Sequence, residues 1–220
     1  MGSTPTPLTD FMGLWSNATT PAGSTALPGG ISVDVEYLHG RKLFVIPQFL
    51  TPEECDTFIE RSEQLGYAEA PINTSFGPLV RKDVRDNQRL LLDDPRLASA
   101  WWERAKGLLV EEWFGWKVVG LNERFRFYRY DPGQRFAPHT DGCFRRDNGD
   151  ESQFTFLVYL NGGFEGGATA FRESRASLLV TPERGKALVF YHRQLHEGLP
   201  VVRGRKYVLR TDVMYRHAAP

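Results

Sequence analysis

The feature that most constrains the fold is a series of short, apolar, strand-like segments in the second half of the chain. Glycine pairs and a proline separate these segments. Short runs of apolar, β-branched and aromatic residues with such boundaries are typical of β-strands. This half therefore predicts several short strands, which lie at residues 154–160, 168–171, 178–180, 185–191 and 204–215.

Two helices are predicted in the first half. Thr51 can cap the first helix, with Pro52 at its first position and Glu54 completing a capping box. Asp94 can cap a second helix, whose apolar residues continue as far as Trp113. Because the helical patterns come early and most strands come late, we expect an α+β fold that is mostly β.

Length and composition predict one domain preceded by a tail. Residues 1–30 are rich in Thr, Pro, Gly and Ser, which favours a flexible N-terminal tail. A chain of 220 residues suits a single domain with its own core. We therefore predict one domain over residues 31–217, with a strand-rich core at about 118–216.

Charge and cysteine content narrow the cellular context. The chain has 27 Lys+Arg and 27 Asp+Glu, so its net charge gives no support for a nucleic-acid or membrane partner. No apolar run reaches the ~20 residues that cross a bilayer, and the first residues lack the pattern of a secretion signal. Two cysteines make no disulfide framework. We expect a cytoplasmic protein, and the sequence predicts no oligomeric state.

The stretch from Arg124 to Asp141 indicates a metal site. It reads as a strand, a turn and then His139-Thr-Asp141. Residues two apart on an extended backbone project to the same side, so His139 and Asp141 can occupy two adjacent positions on a metal. A third ligand must come from elsewhere in the chain, and His192 and His196 are the candidates. Two histidines and one carboxylate form the ligand set of non-haem Fe(II) oxygenases.

The motifs from Tyr130 to Tyr215 carry a family resemblance. His139-Thr-Asp141 is followed by Gly-Gly-Ala-Thr169, by His196-Glu-Gly, and by Lys206 ten positions after His196. This order resembles the C-terminal half of 2-oxoglutarate- and Fe(II)-dependent oxygenases of the prolyl 4-hydroxylase type. The resemblance implies a double-stranded β-helix, or jelly roll, with the N-terminal helices packed on one sheet.

The resemblance also implies which residues hold the metal and the cosubstrate. It favours His196 over His192 as the distal ligand, so that His139, Asp141 and His196 would bind Fe(II). Lys206 matches the cation that binds the far carboxylate of 2-oxoglutarate. Tyr130 and Thr169 match family positions that donate hydroxyls to the same carboxylate. Arg210, four residues after Lys206 on the same face of a strand, is a rival cation.

A charged segment from Arg81 to Arg89 has two interpretations. Such a run can be a solvated face, or it can border the substrate pocket, as this part of the chain does in the family. Arg85, Asn87 and Arg89 alternate, so a strand would place them on one side. There they can bind a carboxylate or peptide carbonyl oxygens.

The resemblance implies hydroxylation of an unactivated C–H bond with 2-oxoglutarate and O2 as cosubstrates and with release of succinate and CO2. Family likeness favours a prolyl or similar residue in a peptide or protein. Hydroxylation of a free amino acid or a small natural product is the alternative. Jelly rolls host many functions, so a cupin-like barrel that binds metal without oxygenation also stays open. A nucleic-acid demethylase on the same scaffold is disfavoured by the zero net charge.

Overall fold

The computed structural model describes residues 34–74, 77–172 and 177–217. The helices are α1 (Pro52–Leu65) and α2 (Pro95–Ala105). The strands are β1 (Glu36–Tyr37), β2 (Leu43–Ile46), β3 (Ala68–Glu69), β4 (Ile72–Thr74), β5 (Gly77–Leu79), β6 (Gln88–Asp93), β7 (Glu112–Trp113), β8 (Trp116–Leu121), β9 (Arg124–Tyr130), β10 (Phe136–His139), β11 (Glu151–Tyr159), β12 (Glu165–Gly166), β13 (Thr169–Arg172), β14 (Ser177–Val180), β15 (Ala187–Tyr191), β16 (His196–Gly198), β17 (Val201–Arg203) and β18 (Lys206–His217).

Two antiparallel sheets face each other. The larger sheet has the order β1-β2-β15-β11-β18-β9-β6-β3, and β8 and β7 extend it beside β18. The smaller sheet has the order β10-β16-β13-β14. Tyr128 and Leu188 of the larger sheet share one buried apolar cluster with Phe171 and Val180 of the smaller sheet. The interior therefore lies between the sheets, and the predicted α+β jelly roll is confirmed.

Both helices pack on the outer face of the larger sheet. Successive residues of β9 project to opposite faces, so Phe125 and Phe127 point away from the interior that contains Tyr128. Phe58 of α1 and Trp101 of α2 join Phe125 and Phe127 in a second buried cluster. The predicted packing of the N-terminal helices on one sheet is confirmed, and it leaves the opposite face of that sheet free to build a site.

The start of α1 follows the sequence prediction. The Thr51 hydroxyl accepts a hydrogen bond from the Glu54 backbone N–H at 3.2 Å, and the Glu54 carboxylate accepts one from the Thr51 N–H at 2.9 Å. Cys55 is buried in the core, as its place in the apolar pattern predicts. Gly66 follows the last helical residue with a φ of 84°, a conformation that ends a helix.

The prediction that the second helix reaches Trp113 is wrong. The helix ends at Ala105, just before the Lys106-Gly107 pair, where glycine is a poor helix former. Trp113 instead lies in β7, which pairs with β8 through a turn at Phe114 and Gly115. Trp113 thus has the spacing of a helical residue, but it belongs to a hairpin.

The N-terminal boundaries stay predictions. The proposed tail over residues 1–30 lies outside the described residues. Alternating apolar residues from Ile31 to Tyr37 and the apolar segment Leu43–Ile46 also favour two strands, and the second is confirmed as β2, which pairs with both β1 and β15. Ile31 and Val33 lie outside the described residues. No helix within the described ranges has the length and apolar character needed to cross a membrane.

The close contact between Gly185 and Leu50, the residue before the N-cap of α1, can be tested by substitution. Its φ is +79°, and a Cβ there would lie 2.2 Å from the Leu50 carbonyl oxygen. The Leu50 N–H also donates to the Gly185 carbonyl at 3.1 Å, so neither backbone can withdraw freely. We expect Gly185→Ala to lower the free energy of unfolding by about 3 kcal/mol. Gly163→Ala, at φ +74° but in open space, should lose only about 1 kcal/mol. Equal losses in urea unfolding would contradict this explanation.

Candidate metal centre and adjoining pockets

Strand register brings the two predicted imidazole ligands together. His139 at the end of β10 and His196 at the start of β16 are direct cross-strand partners. Side chains of directly opposed residues in an antiparallel pair project to the same face. Their ring centroids are accordingly 4.2 Å apart.

Asp141 completes a compact cluster with these histidines. It lies just beyond β10, where its backbone N–H donates to the His192 carbonyl at 2.9 Å. Its Oδ1 is 3.8 Å from His139 Nε2, and its Oδ2 is 3.8 Å from His196 Nε2. One possible ligand atom from each of the three residues lies within 4.8 Å of the others. The cluster of His139, Asp141 and His196 is called the triad below.

The protonation states of the triad suit a metal ion. His139 Nδ1 donates to the Ala137 carbonyl at 2.8 Å and His196 Nδ1 to the Gln194 carbonyl at 2.9 Å, which leaves both Nε2 lone pairs toward Asp141. Burial lowers the pKa of His139 to about 4 and also lowers the pKa of His196. A metal needs such neutral imidazoles, and a His₂-carboxylate donor set fits Fe(II) with positions to spare.

The Asp141 carboxylate is held ionised by its neighbours. Burial alone would raise its pKa, but the Arg210 guanidinium and the two imidazoles hold that pKa well below the usual range. Arg210 Nη1 donates to Oδ1 at 2.7 Å, and the Thr155 hydroxyl donates to Oδ2 at 2.5 Å. Sequence reasoning missed Thr155, although a hydroxyl at an interior-facing position within the apolar segment 154–160 was a usable signal.

His192 contacts the triad through Thr155 and through its own backbone carbonyl. Its Nδ1 is 3.1 Å from the Thr155 hydroxyl, and its Nε2 is 2.8 Å from the Ser152 hydroxyl. Both ring nitrogens are thus hydrogen-bonded to hydroxyl groups, and neither is available as a ligand beside Asp141. The His192 backbone carbonyl accepts the Asp141 N–H. Of the two candidate distal ligands, the fold places His196 in the triad and His192 behind it.

Lys206, Tyr130 and Thr169 are buried around Tyr159, and this group of residues is called the lysine pocket below. Lys206 and Tyr130 are cross-strand partners on β18 and β9, and the lysine Nζ lies 5.2 Å from the Tyr130 ring centroid. The same Nζ lies 5.5 Å from the Tyr159 ring centroid, and the Tyr159 hydroxyl is hydrogen-bonded to that of Thr169 at 2.6 Å. Sequence reasoning missed Tyr159, which alternation along β11 places on the inner face.

Lys206 is a buried cation without an acidic partner among the described residues. It is only 4% exposed, and its ammonium donates to the Gly167 carbonyl. Burial lowers its pKa to about 7, with no carboxylate acting in the opposite direction. An isolated buried cation is unfavourable until an anion binds, so the pocket is a candidate carboxylate site. The rival cation Arg210 is already paired with Asp141 and Asp212.

The predicted substrate segment does not form one strand. Arg85 and Asn87 precede β6, whereas Arg89 lies within it, so the three residues do not lie on one strand as the alternation suggested. A turn at residues 82–84 interrupts the extended backbone. The first part of the segment is a solvated face, because Arg81 and Lys82 form exposed ion pairs with Asp83 and Glu69.

Arg85 nevertheless reaches the site. Its guanidinium carbon lies 4.5 Å from the ring centroids of both Tyr128 and Phe136, and Phe136 stacks on His139 at 3.6 Å. Arg85 is 6% exposed, and its Nε donates to the Asn87 side-chain oxygen at 2.7 Å. Its Nη2 is buried and has no hydrogen-bond partner in the described part of the chain.

Arg89 lies on the face of the sheet that carries Tyr128. It pairs with Tyr128 across β6 and β9 and helps to line a surface cavity with Tyr67 and Glu69. Burial lowers the pKa of its guanidinium, and the charge of Arg85 lowers that pKa further. Arg85 therefore approaches the triad through Phe136, while Arg89 lies opposite Tyr128 and borders the surface cavity.

Comparison with known proteins gives the family. The sequence model of the 2OG-Fe(II) oxygenase superfamily matches residues 125–211, which include the whole triad and Lys206. Prolyl 4-hydroxylase 13 of Arabidopsis thaliana is 30% identical over 217 residues, covering 83% of this chain and 76% of that protein. The chain spans about two thirds, 66%, of other curated prolyl 4-hydroxylases of that plant.

Solved structures agree on the fold. The 2OG complex of the viral collagen prolyl hydroxylase of Paramecium Bursaria Chlorella virus-1 is 23% identical, with a TM-score of 0.58, covering 80% of this chain and 97% of that one. A prolyl hydroxylase of Trichoplax adhaerens in complex with a hypoxia inducible factor peptide is 16% identical, with a TM-score of 0.61, covering 79% and 84%. Together with the sequence matches, the shared fold shows that this chain belongs to the prolyl 4-hydroxylase-like family of 2-oxoglutarate- and Fe(II)-dependent oxygenases.

Proposed function

We propose that this protein hydroxylates an unactivated C–H bond of a prolyl or similar residue in a peptide or protein. The substrate R–H, 2-oxoglutarate and O2 would become R–OH, succinate and CO2. The observation that carries the proposal is the placement of the triad and the lysine pocket in one barrel interior. A set of metal ligands alone is compatible with many barrel proteins. A buried lysine without an acidic partner among the described residues, in the same interior as the metal ligands, is what a cosubstrate with two carboxylates requires.

In this proposal His139, Asp141 and His196 hold Fe(II). The Nδ1–H bonds to backbone carbonyls fix each imidazole, and Thr155 and Arg210 fix the carboxylate, so the ligand positions are set before the metal binds. Iron held by these residues would supply the redox chemistry through which O2, the oxidant, oxidises 2-oxoglutarate and the substrate C–H bond. The protein contributes position, a dry interior and the ionisation states described above.

The lysine pocket would bind the far carboxylate of 2-oxoglutarate. The Lys206 ammonium supplies charge, and the hydroxyls of Tyr130, Thr169 and Tyr159 are the neighbouring donors. Burial raises the pKa of Tyr130 to about 12, so its hydroxyl keeps its proton and can donate. A charge-assisted bond in a buried site is strong because water competes poorly there.

The peptide or protein substrate would lie at the Arg85 stack. Arg85, braced by Asn87, carries a free N–H donor beside Phe136 and hence beside His139. Such a donor can bind a peptide carbonyl oxygen. The names of the relatives, and the peptide bound to the Trichoplax adhaerens structure, support a peptide or protein. Arg89 would contact more distant parts of it.

One observation favours a second candidate, the hydroxylation of a free amino acid or small carboxylic acid. Arg85 forms no ion pair with a carboxylate in the described residues, and a substrate carboxylate would supply one. Turnover of a prolyl peptide blocked at both ends, compared with turnover of free proline, separates the two candidates.

The first test is an anaerobic titration of the metal-free protein with Fe(II) and then 2-oxoglutarate. A visible charge-transfer band, followed by a mass increase of one oxygen in a prolyl peptide on exposure to air, is the expected result. A folded protein that gives no band would overturn the oxygenase proposal and favour a cupin-like metal-binding barrel.

Arg85→Met tests the substrate role. We expect the KM for the substrate to rise about 10–100-fold, because a buried charged hydrogen bond is lost. The band of the Fe(II)–2-oxoglutarate complex should not move, since Arg85 contacts neither the triad ligand atoms nor the lysine pocket. Arg81→Met, which removes a surface cation from the same segment, is the matched control. An unchanged KM in the Arg85 variant would contradict the assignment.

A further inference from the structure

A buried chain of alternating charges runs from the inner face of the larger sheet to the triad. Arg126 of β9 and Arg210 of β18 are cross-strand partners, and Asp212 lies two residues further along β18 on the same face. Arg126 Nη1 donates to Asp212 Oδ2 at 3.0 Å, and Arg210 Nη2 donates to Asp212 Oδ1 at 3.2 Å. The chain ends where Arg210 Nη1 meets Asp141 Oδ1 at 2.7 Å.

Two guanidinium groups and two carboxylates make this chain neutral overall. The side chains of Asp141 and Asp212 are almost fully buried, with exposed fractions of 4% and 2%. The exposed fraction of the Arg210 side chain is 13%. Water therefore competes weakly for these bonds, and the geometry of each group depends on its neighbour. Arg210 is the link, because its guanidinium is hydrogen-bonded to both carboxylates.

Arg210 is not fully satisfied by this network. Its Nε is buried and has no hydrogen-bond partner among the described residues. An unpaired buried donor is unfavourable in free energy, so this group is not arranged for stability alone. The direct contact of Arg210 Nη1 with Asp141 favours a role at the metal centre.

The Asp141 carboxylate needs support beyond that of its backbone. Asp141 lies two residues after the end of β10, where its N–H donates to the His192 carbonyl, but no strand pairing fixes its side chain. Its two oxygens are each 3.8 Å from one imidazole, so rotation of the carboxylate would exchange which oxygen faces which ligand. Arg210 and Thr155 each engage one oxygen and together stop that rotation.

We propose that Arg210 is a positioning residue of the metal centre, which orients Asp141 for Fe(II) and withdraws electron density from its carboxylate. This inference rests on the proposed function, because it concerns the same metal site. If Arg210 orients the Asp141 carboxylate, loss of Arg210 should weaken Fe(II) binding. If the charge of Arg210 withdraws electron density from that carboxylate, a neutral replacement should make Asp141 a stronger electron donor to iron. The charge-transfer band of the Fe(II)–2-oxoglutarate complex should then move to longer wavelength.

The decisive variant is the double substitution Arg210→Met with Asp212→Asn. It removes one cation and one anion together, so the net charge of this buried group stays zero. Asp212→Asn alone leaves the contact between Arg210 and Asp141 and is the matched control. Arg210→Lys keeps the charge and tests rescue. Circular dichroism and thermal unfolding of each metal-free variant check the fold.

We expect the dissociation constant for Fe(II), measured anaerobically, to rise about 10–100-fold in the double variant, a usual effect of losing a partner of a metal ligand. The Asp212→Asn control should stay within about threefold of the parent. Arg210→Lys should hold the band near the parent wavelength, while the double variant shifts it to longer wavelength. Equal Fe(II) affinity and an unshifted band in the folded double variant would overturn the role of Arg210 but leave the proposed function intact. A parent that binds no Fe(II) would instead overturn the proposed function, and with it this inference.

Discussion

Replacing His196 with alanine should abolish Fe(II) binding and hydroxylation, whereas His192→Asn, four residues earlier, should weaken Fe(II) binding by only about tenfold. The two histidines are both buried, so composition and burial do not distinguish them. Position does, because His196 Nε2 faces Asp141, whereas both ring nitrogens of His192 face Thr155 and Ser152. A metal loses one of three protein ligands in the first variant and only a supporting contact in the second.

Equilibrium titration with Fe(II) under anaerobic conditions, together with single-turnover assays, measures both effects. Circular dichroism of the metal-free proteins shows whether either substitution disturbs the fold. Strong Fe(II) binding by the folded His196→Ala variant would show that His196 is not a metal ligand. If the His192 variant lost Fe(II) binding instead, His192 would be the distal ligand in place of His196.

Lys206→Met should raise the half-saturating concentration of 2-oxoglutarate by about 100-fold or more. Removing one partner of a buried charge pair leaves the other charge unpaired, which costs about 2–5 kcal/mol. Fe(II) affinity without 2-oxoglutarate should stay the same, since Lys206 has no contact with the triad. Arg205→Met, which removes the adjacent but half-exposed cation, is the matched control.

The same substitution should stabilise the metal-free fold at neutral pH. The folded-state pKa of Lys206 is lowered to about 7 from a usual value of 10.5, so the unfolded chain binds more protons between these values. The free energy of unfolding of the parent therefore rises with pH between about 7 and 10.5, and this contribution is lost as pH falls through the folded pKa. Lys206→Met removes that dependence, and urea unfolding of both proteins at pH 7 and pH 9 measures it.

Binding of 2-oxoglutarate should reverse the pKa shift of Lys206. A carboxylate beside the ammonium favours its charged form, so binding above the folded pKa takes up a proton. Calorimetry in buffers of different ionisation enthalpy counts this proton, and Lys206→Met should abolish the uptake. Proton uptake that persists in the variant would place the far carboxylate at another group.

Local signals in the sequence were sufficient for the elements and for part of the site. Thr51, Pro52 and Glu54 determine where α1 begins, because a capping box is built from residues within one turn. Alternation determines which residues of β9 and β11 share a face. The His139-Thr-Asp141 spacing indicated a metal pair for the same local reason, and the family resemblance supplied His196 and Lys206.

Only the tertiary structure decided which residues surround these groups. The extent of α2 was misjudged because the aromatic residue Trp113 fits a helical spacing as well as the hairpin that tertiary pairing gives it. The sequence favours a strand at Arg85, yet the residue lies outside β6 and its guanidinium stacks against Phe136. Contacts of this kind depend on packing between distant segments, which spacing along the chain does not encode.

The sequence by itself determined the fold class, the start of α1 and the placement of His139 and Asp141 as a possible metal pair, because each depends on short-range patterns or on a recognisable order of motifs. The tertiary structure decided that His196, not His192, faces Asp141, that Arg210 is paired with Asp141 and Asp212, and that Lys206 has no acidic partner among the described residues. The physical reason is strand register. A shift of one residue between neighbouring strands would turn His196, Lys206, Arg210 and Asp212 to the opposite face.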